Sequence, residues 1–555
     1  MKKITAHRIV GGLLIILVYF SSSSPVFAQA AEFTISNPDA QLFHGEFQGF
    51  GAEWDPFFWN SYNQNQGLTQ ADWDLITGRM QEMDIPIVRM WMQLYFARNY
   101  NGDYSQWDFE NARMQSLYKH LDFACQNDID VMLTDWAWSF WPSYKMFNGD
   151  PTNYGFAQAI AYYLKELIEN RGYDCIKYLI VGNEPNNEIL PSLGFAPYEA
   201  MINNVDRALK ENGLRDKITF LGPDPSCCQG LFIEAMQSSL HATFDGYDFH
   251  HYAGEPSVSN GTLHTEFETR RDWIRDLSPN PNDQYKPLFI TEAGMGNGVS
   301  DSFSHALSMA DYGTTVLTSR IQGAIAWNMY DLYYDQGHSE FENNAMIAWG
   351  MWKYKDNDWA LRPWAQPWGL LVKFAPQGSI QATVNNVPPQ SLPSDGIHVA
   401  ALKRPDNGWS IFLVNRNTSG RTLQISLPSG SPHTFTKYEV VSTTLSSYPD
   451  KIIPPSSGSI NTTDNFSVTV PAQSFTVLVE SATSVSPTVP PPTPTPVLTP
   501  GDVTGDGNVN LNDLSILLSN FGKSGMQRSQ GDLISDGNVN LSDLSQLLAN
   551  FGKSS

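Results

Sequence analysis

The chain of 555 residues is 41% hydrophobic and carries 57 acidic against 34 basic residues, a formal charge of −23. That length and apolar content suit three or four domains of about 150 residues each and exclude a disordered chain or a mini-scaffold. The negative balance repels polyanions and anionic bilayers, so neither nucleic acid nor a membrane surface is expected as a partner.

Residues 1–30 read as a secretory signal. Lys2, Lys3 and Arg8 precede an apolar run from Ile9 to Phe20, and Val26-Phe27-Ala28 fits a cleavage site near Ala28 or Ala30. The run is too short to cross a bilayer comfortably and no other stretch is longer, so a secreted protein without a membrane span after cleavage is expected.

Residues 31–370 alternate apolar strand-like runs with helix-length stretches. The runs are GEFQGFGAEW from Gly45, PIVRMWMQ from Pro86, IDVMLTDW from Ile129, IKYLIVGNE from Ile176, ITFLGPD from Ile218, GYDFHHY from Gly246, PLFITE from Pro287 and GAIAWN from Gly323. Eight such units predict the α/β class and a (β/α)8 barrel, whose chemistry sits at the strands' C-terminal ends. Four cysteines are too few for a disulfide framework, and no structural metal cluster is expected from them. Cys125 and Cys175 each precede a strand-like run at the same end of neighbouring strands, where either a disulfide or two thiols fits. Cys227 and Cys228 stay unassigned.

Residues 371–483 hold short runs such as HVAALKR, WSIFLVNR and SFTVLVE between Pro, Gly and Asn clusters, the pattern of a β-sandwich. Residues 32–43 have a similar pattern and are candidates for one more strand of it. Residues 484–500 carry seven prolines and no charge, a linker without a core. Residues 501–555 contain a motif repeated with a period of 30, an acidic glycine-containing loop followed by leucines at helical spacing.

Glu184 closes the fourth strand-like run and Glu292 the seventh. Two carboxyls at the ends of nearly opposite barrel strands face one cleft, which is what hydrolysis of a glycosidic bond requires. Asn183-Glu184-Pro185, with a second glutamate ending the seventh strand, resembles the retaining glycoside hydrolases of the (β/α)8 clan that includes families 5, 30 and 39, over roughly residues 40–375. The resemblance implies Glu184 as acid/base, Glu292 as nucleophile and Asn183 as the ligand of the sugar 2-hydroxyl. It further implies that Arg89 orients the nucleophile, that His250 and Tyr252 form the His-x-Tyr pair whose tyrosine hydrogen-bonds it, and that Trp327 floors the cleavage subsite. No catalytic metal is implied.

Tryptophan is concentrated before Gly369, with Trp54, Trp59, Trp91, Trp136, Trp138 and Trp141 at or just past strand ends, where rings can stack on pyranose faces. Several such rings suggest several subsites, hence an endo-acting β-glycanase on a polysaccharide. An exo-acting β-glycosidase and a non-catalytic carbohydrate-binding scaffold protein are the alternatives. Trp73, Trp273 and Trp364 are expected to fill space between helices and barrel. Residues 31–370 hold 45 acidic and 21 basic residues, so nearly all the negative charge lies on the barrel and favours a neutral glycan over a polyuronate.

In the tail, Asp502, Thr504, Asp506, the Asn508 carbonyl, Asn510 and Asp513 occupy positions 1, 3, 5, 7, 9 and 12 of an oxygen-donor loop with Gly507 at the turn, a set suited to Ca²⁺. The second loop offers Asp532, Asp536, Asn538, Asn540 and Asp543, with Gly537 at the turn; Ile534 at position 3 supplies no side-chain oxygen, which predicts a weaker or water-completed site. Aspartate at position 12, one helix after each loop and a tandem pair behind a Pro/Thr linker resemble a type I dockerin. That resemblance implies structural calcium and a cohesin-bearing scaffold or cell surface as partner.

Overall fold

The chain enters through β1 (Ala31–Pro38) and then lays down eight parallel strands that close into a barrel: β2 (Gly49–Glu53), β3 (Ile87–Trp91), β4 (Asp130–Asp135), β5 (Ile176–Val181), β6 (Thr219–Gly222), β7 (Gly246–Ala253), β8 (Leu288–Met295) and β9 (Gly323–Ala326). These are the eight runs expected from the sequence. The ring closes where β9 pairs with β2, Gly49 opposite Gly323 and Ala52 opposite Ala326. This computed structural model describes residues 31–97, 107–135, 150, 152–226, 229–334, 345–386, 396–428, 432–481, 501–504, 508–534 and 536–553. Residues 1–30 and 484–500, expected to be a signal segment and a linker, and Trp136, Trp138, Trp141, Cys227, Cys228, Asp506 and Gly507 lie outside the described residues.

Alternation along each strand sorts the side chains into two cores. Ile87, Met132, Tyr178, Ile180, Leu221, Phe289 and Ile325 point inward and pack as one apolar cluster inside the barrel. Their neighbours Val88, Met90, Val131, Leu133, Leu179, Leu288 and Ile290 point outward against the helices. Two residues beyond the inner layer, the same inward parity places Arg89, Thr134 and Thr291. Gly51 leaves no room for a side chain, since a Cβ there would lie 2.1 Å from the Ile87 carbonyl oxygen.

Trp54 departs from its expected place on the cleft. It follows the inward-facing Glu53, so its side chain points outward, 0% exposed. There it packs with Trp73, His120 and Phe123, and its indole N–H donates to the Tyr330 hydroxyl at 3.2 Å. Trp73 and Trp364 are buried, and Trp273 is partly buried against the same core. Cys125, in the last turn of helix Ala112–Gln126, is disulfide-bonded to Cys175, which immediately precedes β5; their Cα atoms are 5.0 Å apart.

After β9 comes a two-residue pair, β10 (Leu332–Tyr333) with β11 (Met346–Ile347), then β12 (Ile380–Asn386), β13 (Ile397–Lys403), β14 (Trp409–Asn415), β15 (Arg421–Ser426), β16 (His433–Val440), β17 (Gly458–Thr462), β18 (Asn465–Val470) and β19 (Ser474–Glu480). Strands β12 to β19 and β1 form one nine-stranded sheet in the order β17-β16-β19-β14-β13-β12-β1-β15-β18. β1 pairs antiparallel with β12 and parallel with β15. Phe33, Ile35, Val399, Ile411, Leu423, Phe435, Val468 and Leu478 share a core within this sheet. The opposite faces of β13, β14 and β19, through Ala400, Leu402, Phe412, Val414, Phe475 and Val477, belong to the barrel's own hydrophobic cluster. The three central runs are therefore almost wholly buried instead of alternating in exposure. Asp311, on barrel helix Phe303–Thr318, reinforces the junction by accepting from His398 Nδ1 at 2.7 Å and from Arg416 Nε. Barrel and sheet form one compact unit ending at Ala482.

The second unit, from Thr483, contains helices Leu511–Ser519 and Leu541–Ala549. Each begins with a capping box, Asn510 with Asp513 and Asn540 with Asp543. The two copies are exchanged in their pairing. Val509 N–H donates to the Lys553 carbonyl and Val539 N–H to the Lys523 carbonyl, at 2.9 and 3.0 Å, around a core that includes Val503, Leu517, Leu533 and Leu547. Among the described residues, no helix is long and apolar enough to cross a membrane.

Candidate active site

One connected polar group occupies the C-terminal ends of the barrel strands, and Arg89 is its hub. Fully buried, it spends all five donor hydrogens inside the barrel. Nε donates to Thr134 Oγ1 at 2.9 Å, Nη1 to Glu53 Oε2 at 3.0 Å and to Glu292 Oε1 at 2.8 Å, and Nη2 to Asn183 Oδ1 at 2.8 Å and Asp224 Oδ2 at 3.1 Å. The Tyr252 hydroxyl donates to the other oxygen of Glu292, Oε2, at 2.7 Å. Glu292 is thus held by a charged donor on one side and a neutral one on the other, with its side chain 7% exposed.

Glu184 is more open, its side chain 25% exposed. It follows β5 with a left-handed backbone, φ +46°, sparsely populated for a residue with a side chain and common where a site stores strain. Its N–H donates to the Asp224 carbonyl at 3.2 Å. Glu184 Oε1 lies 2.9 Å from His250 Nδ1, and Oε2 accepts from Asn187 Nδ2 at 3.0 Å. His250 Nε2 reaches Asp224 Oδ1 at 3.0 Å, and Nδ1 is also 3.2 Å from Glu292 Oε2.

Electrostatics follow from burial set against these partners. Burial opposes a charged His250, but Asp224, Glu292 and the hydrogen bond it donates to Glu184 outweigh it and hold its pKa well above the usual histidine value. Burial likewise works against ionised Asp224, yet His250, Arg89 and the Thr291 hydroxyl bring it down to about 2. Tyr252 is driven well above the ordinary phenol value by burial and by Glu292, so it remains a donor. Arg89 is destabilised by burial but carries its charge firmly, because Glu53, Asp224 and Glu292 surround it.

Glu184, Glu292, Asn183, Arg89, His250 and Tyr252 are therefore brought together. Asn183 spends its amide oxygen on Arg89, which leaves its NH₂ to donate to a ligand hydroxyl. Trp327, just past β9 and half-buried, meets Trp91 edge-on at 6.2 Å and Tyr334 at 6.3 Å. Trp91 itself is buried, with the Arg89 guanidinium 4.8 Å from its ring centroid, so it is a wall of the polar group and not an open stacking face. Sequence reasoning passed over Glu53, Thr134, Asp224 and Thr291. Glu53 and Asp224 end apolar runs as Glu184 and Glu292 do, and the same rule of polar strand ends would have found them.

One oxygen each of Glu184 and Glu292 and a ring nitrogen of His250 lie within 4.8 Å of one another. Retaining glycosidases hold their two carboxyls about 5 to 5.5 Å apart, and inverting ones roughly 6.5 to 9.5 Å apart to admit a water.

In the tail, Asp513 and Asp543 are 0% exposed, and Asp502 and Asp532 are 2% and 3%. The Thr504 hydroxyl ties Asp502 Oδ1 to Asp513 Oδ1 at 3.2 and 3.0 Å. Asp532 accepts from the N–H groups of Asp536 and Gly537, at 3.1 and 2.8 Å, which curls the second loop around it. In the first loop, the buried Asp502–Asp513 pair bridged by Thr504 would fit a hard divalent cation, whose charge would balance it. Ile534 is 42% exposed and turned to solvent.

No family model matches the chain, and no curated protein matches it. Its fold is a (β/α)8 barrel with an associated β domain, and solved structures share it. A GH30 endoxylanase from Clostridium papyrosolvens C71 superposes over 82% of this chain and 100% of its own, at 13% identity and a TM-score of 0.53. The catalytic domain of GH30 xylanase C from Talaromyces cellulolyticus covers 81% and 100%, at 13% identity and 0.56. A GH51 arabinofuranosidase from Xanthomonas axonopodis pv. citri covers 81% and 100%, at 14% identity and 0.55. At these identities the likeness is one of fold.

Proposed function

We propose that this protein is a secreted retaining glycoside hydrolase that cleaves β-linkages within a neutral polysaccharide and is tethered through a calcium-bound C-terminal module. The observation that carries the reading is the Glu184–Glu292 pair, within 4.8 Å and unequally held. Glu292, fixed by Arg89 and Tyr252, attacks the anomeric carbon while Glu184 gives its proton to the departing glycosidic oxygen. The new ester cancels the Glu292 charge. Glu184 then takes a proton from water, whose oxygen attacks the same carbon, releasing Glu292 and a sugar of the original anomeric configuration. In this reading the Asn183 amide holds the 2-hydroxyl and the Trp327 ring floors the subsite.

The acidic barrel supports a neutral glycan. Neighbours that include endoxylanases and an arabinofuranosidase show that this fold does not by itself choose the sugar. A 2-deoxy-2-fluoro glycoside of the right sugar, which forms the ester but releases it slowly, labels Glu292 in a peptide map. Label on another carboxylate overturns the assignment.

Ca²⁺ would be held by Asp502, Thr504, Asp506, Asn508, Asn510 and Asp513 in the first loop and by Asp532, Asp536, Asn538, Asn540 and Asp543 in the second, supplying the charge that balances these acids. Limited proteolysis of the full chain then degrades the tail in EDTA, added calcium restores protection, and hydrolysis of a soluble glycan is the same in both conditions. Each copy leaves an equivalent apolar set exposed, Leu511, Leu518 and Phe521 in one and Leu541, Leu548 and Phe551 in the other, at 41–70%. Repeated exposed leucines of this kind support a protein partner, a cohesin-type scaffold domain.

A further inference from the structure

Two further carboxyls beside Arg89 take no part in the double displacement. Glu53 ends β2 with its side chain fully buried, and its Oε2 shares Arg89 Nη1 with Glu292 Oε1, at 3.0 and 2.8 Å. Asp55, two residues on and 5% exposed, has Oδ2 taken by the Tyr334 hydroxyl. Each keeps one oxygen, Glu53 Oε1 and Asp55 Oδ1, buried without a donor. The two side chains lie within hydrogen-bonding reach of each other. Two buried carboxylates in contact, each with an oxygen that lacks a donor, are strongly unfavourable. One proton between them satisfies both, as donor on one carboxyl and acceptor on the other.

We propose that Glu53 and Asp55 share a single proton, with the Asp55 carboxylic acid donating to Glu53 Oε1, and that this pair is the positioning unit that holds Arg89, and through it Glu292. The groups that face the pair are Arg89 from β3, Glu292 from β8, the Tyr334 hydroxyl just past β10 and the backbone at Trp91. They decide which partner keeps the proton. Burial raises both carboxyls, but Arg89 pulls Glu53 back toward ionisation, whereas the charge of Glu53 drives Asp55 further up. With Glu53 anchored from the Asp55 side, Nη1 cannot turn from Glu292 without leaving a buried carboxylate unpaired. The pair is sealed from substrate, so it acts through Arg89.

The positioning role rests on the reading of Glu292 as nucleophile; the shared proton does not, and the experiment separates them. At neutral pH the infrared difference spectrum between wild type and Asp55→Asn contains the carbonyl stretch of one protonated carboxylic acid, a signal that requires no substrate. Asp55→Ala, which strips Glu53 of its donor, lowers kcat on an aryl glycoside by more than about tenfold with little change in KM. Asp55→Asn, whose amide N–H replaces the acid O–H and whose carbonyl still accepts from Tyr334, recovers most of that loss. Absence of the acid band overturns the shared proton. Wild-type activity in Asp55→Ala, or an equal loss in a folded Asp55→Asn, overturns the positioning role.

Discussion

Glu292→Ala lowers kcat by at least about 10⁴-fold while the protein keeps its fold, because the attacking group itself is lost and not a residue that assists it. Both oxygens of Glu292 are spent on Arg89 and Tyr252, so the substitution empties a cavity lined by donors and poised for an anion. Azide entering that cavity attacks the anomeric carbon from the nucleophile's side, the aryl group departs, and the product is a glycosyl azide of inverted configuration. Its anomeric proton coupling in NMR checks the stereochemistry. Retained configuration, or activity surviving the substitution, places the nucleophile elsewhere.

Glu184→Ala gives the second largest loss, about 10² to 10⁴ in kcat on a natural glycan, where the leaving oxygen needs a proton. A dinitrophenyl glycoside departs without one, so its first step is nearly unaffected, and only breakdown of the ester slows for want of a base. Rapid mixing then shows a burst of phenolate equal to the enzyme concentration, followed by slow turnover. Azide here intercepts the ester on the opposite face, so the configuration is retained. The contrast between the two variants assigns each carboxylate its role without reference to any relative.

All eight barrel strands were legible because each is an apolar run ended by polar residues, and inside the barrel those residues had nowhere to go but one another. Glu184 and Glu292 stood out as carboxyls on opposite strands; Arg89, His250 and Tyr252 followed through the resemblance. Trp54 was misplaced for a reason contained in the strand itself. Side chains alternate, and if Glu53 points into the barrel, Trp54 cannot. The runs WSIFLVNR and SFTVLVE show the complementary difficulty. They announce strands, but that their second face meets the barrel is decided by β14 and β19 reaching helix Phe303–Thr318, roughly 90 to 180 residues earlier in the chain. The Glu53–Asp55 proton was illegible because protonation depends on which donors arrive, and Tyr334 and Arg89 come from distant segments.

The place of β1 sets the order in which this molecule assembles. Ala31 is the first of the described residues, yet its neighbour across the sheet is Leu423, roughly 390 residues later. At about 5 to 20 residues per second, synthesis alone separates the two by about 20 to 80 seconds. Until β12 follows, roughly 350 residues after β1, the barrel can close while a strand bearing Phe33 and Ile35 waits unpaired, with the exposed edge that invites aggregation. The sheet is a clasp that takes one strand from before the barrel and eight from after it, so a fragment cut at either end of the barrel would leave the clasp open.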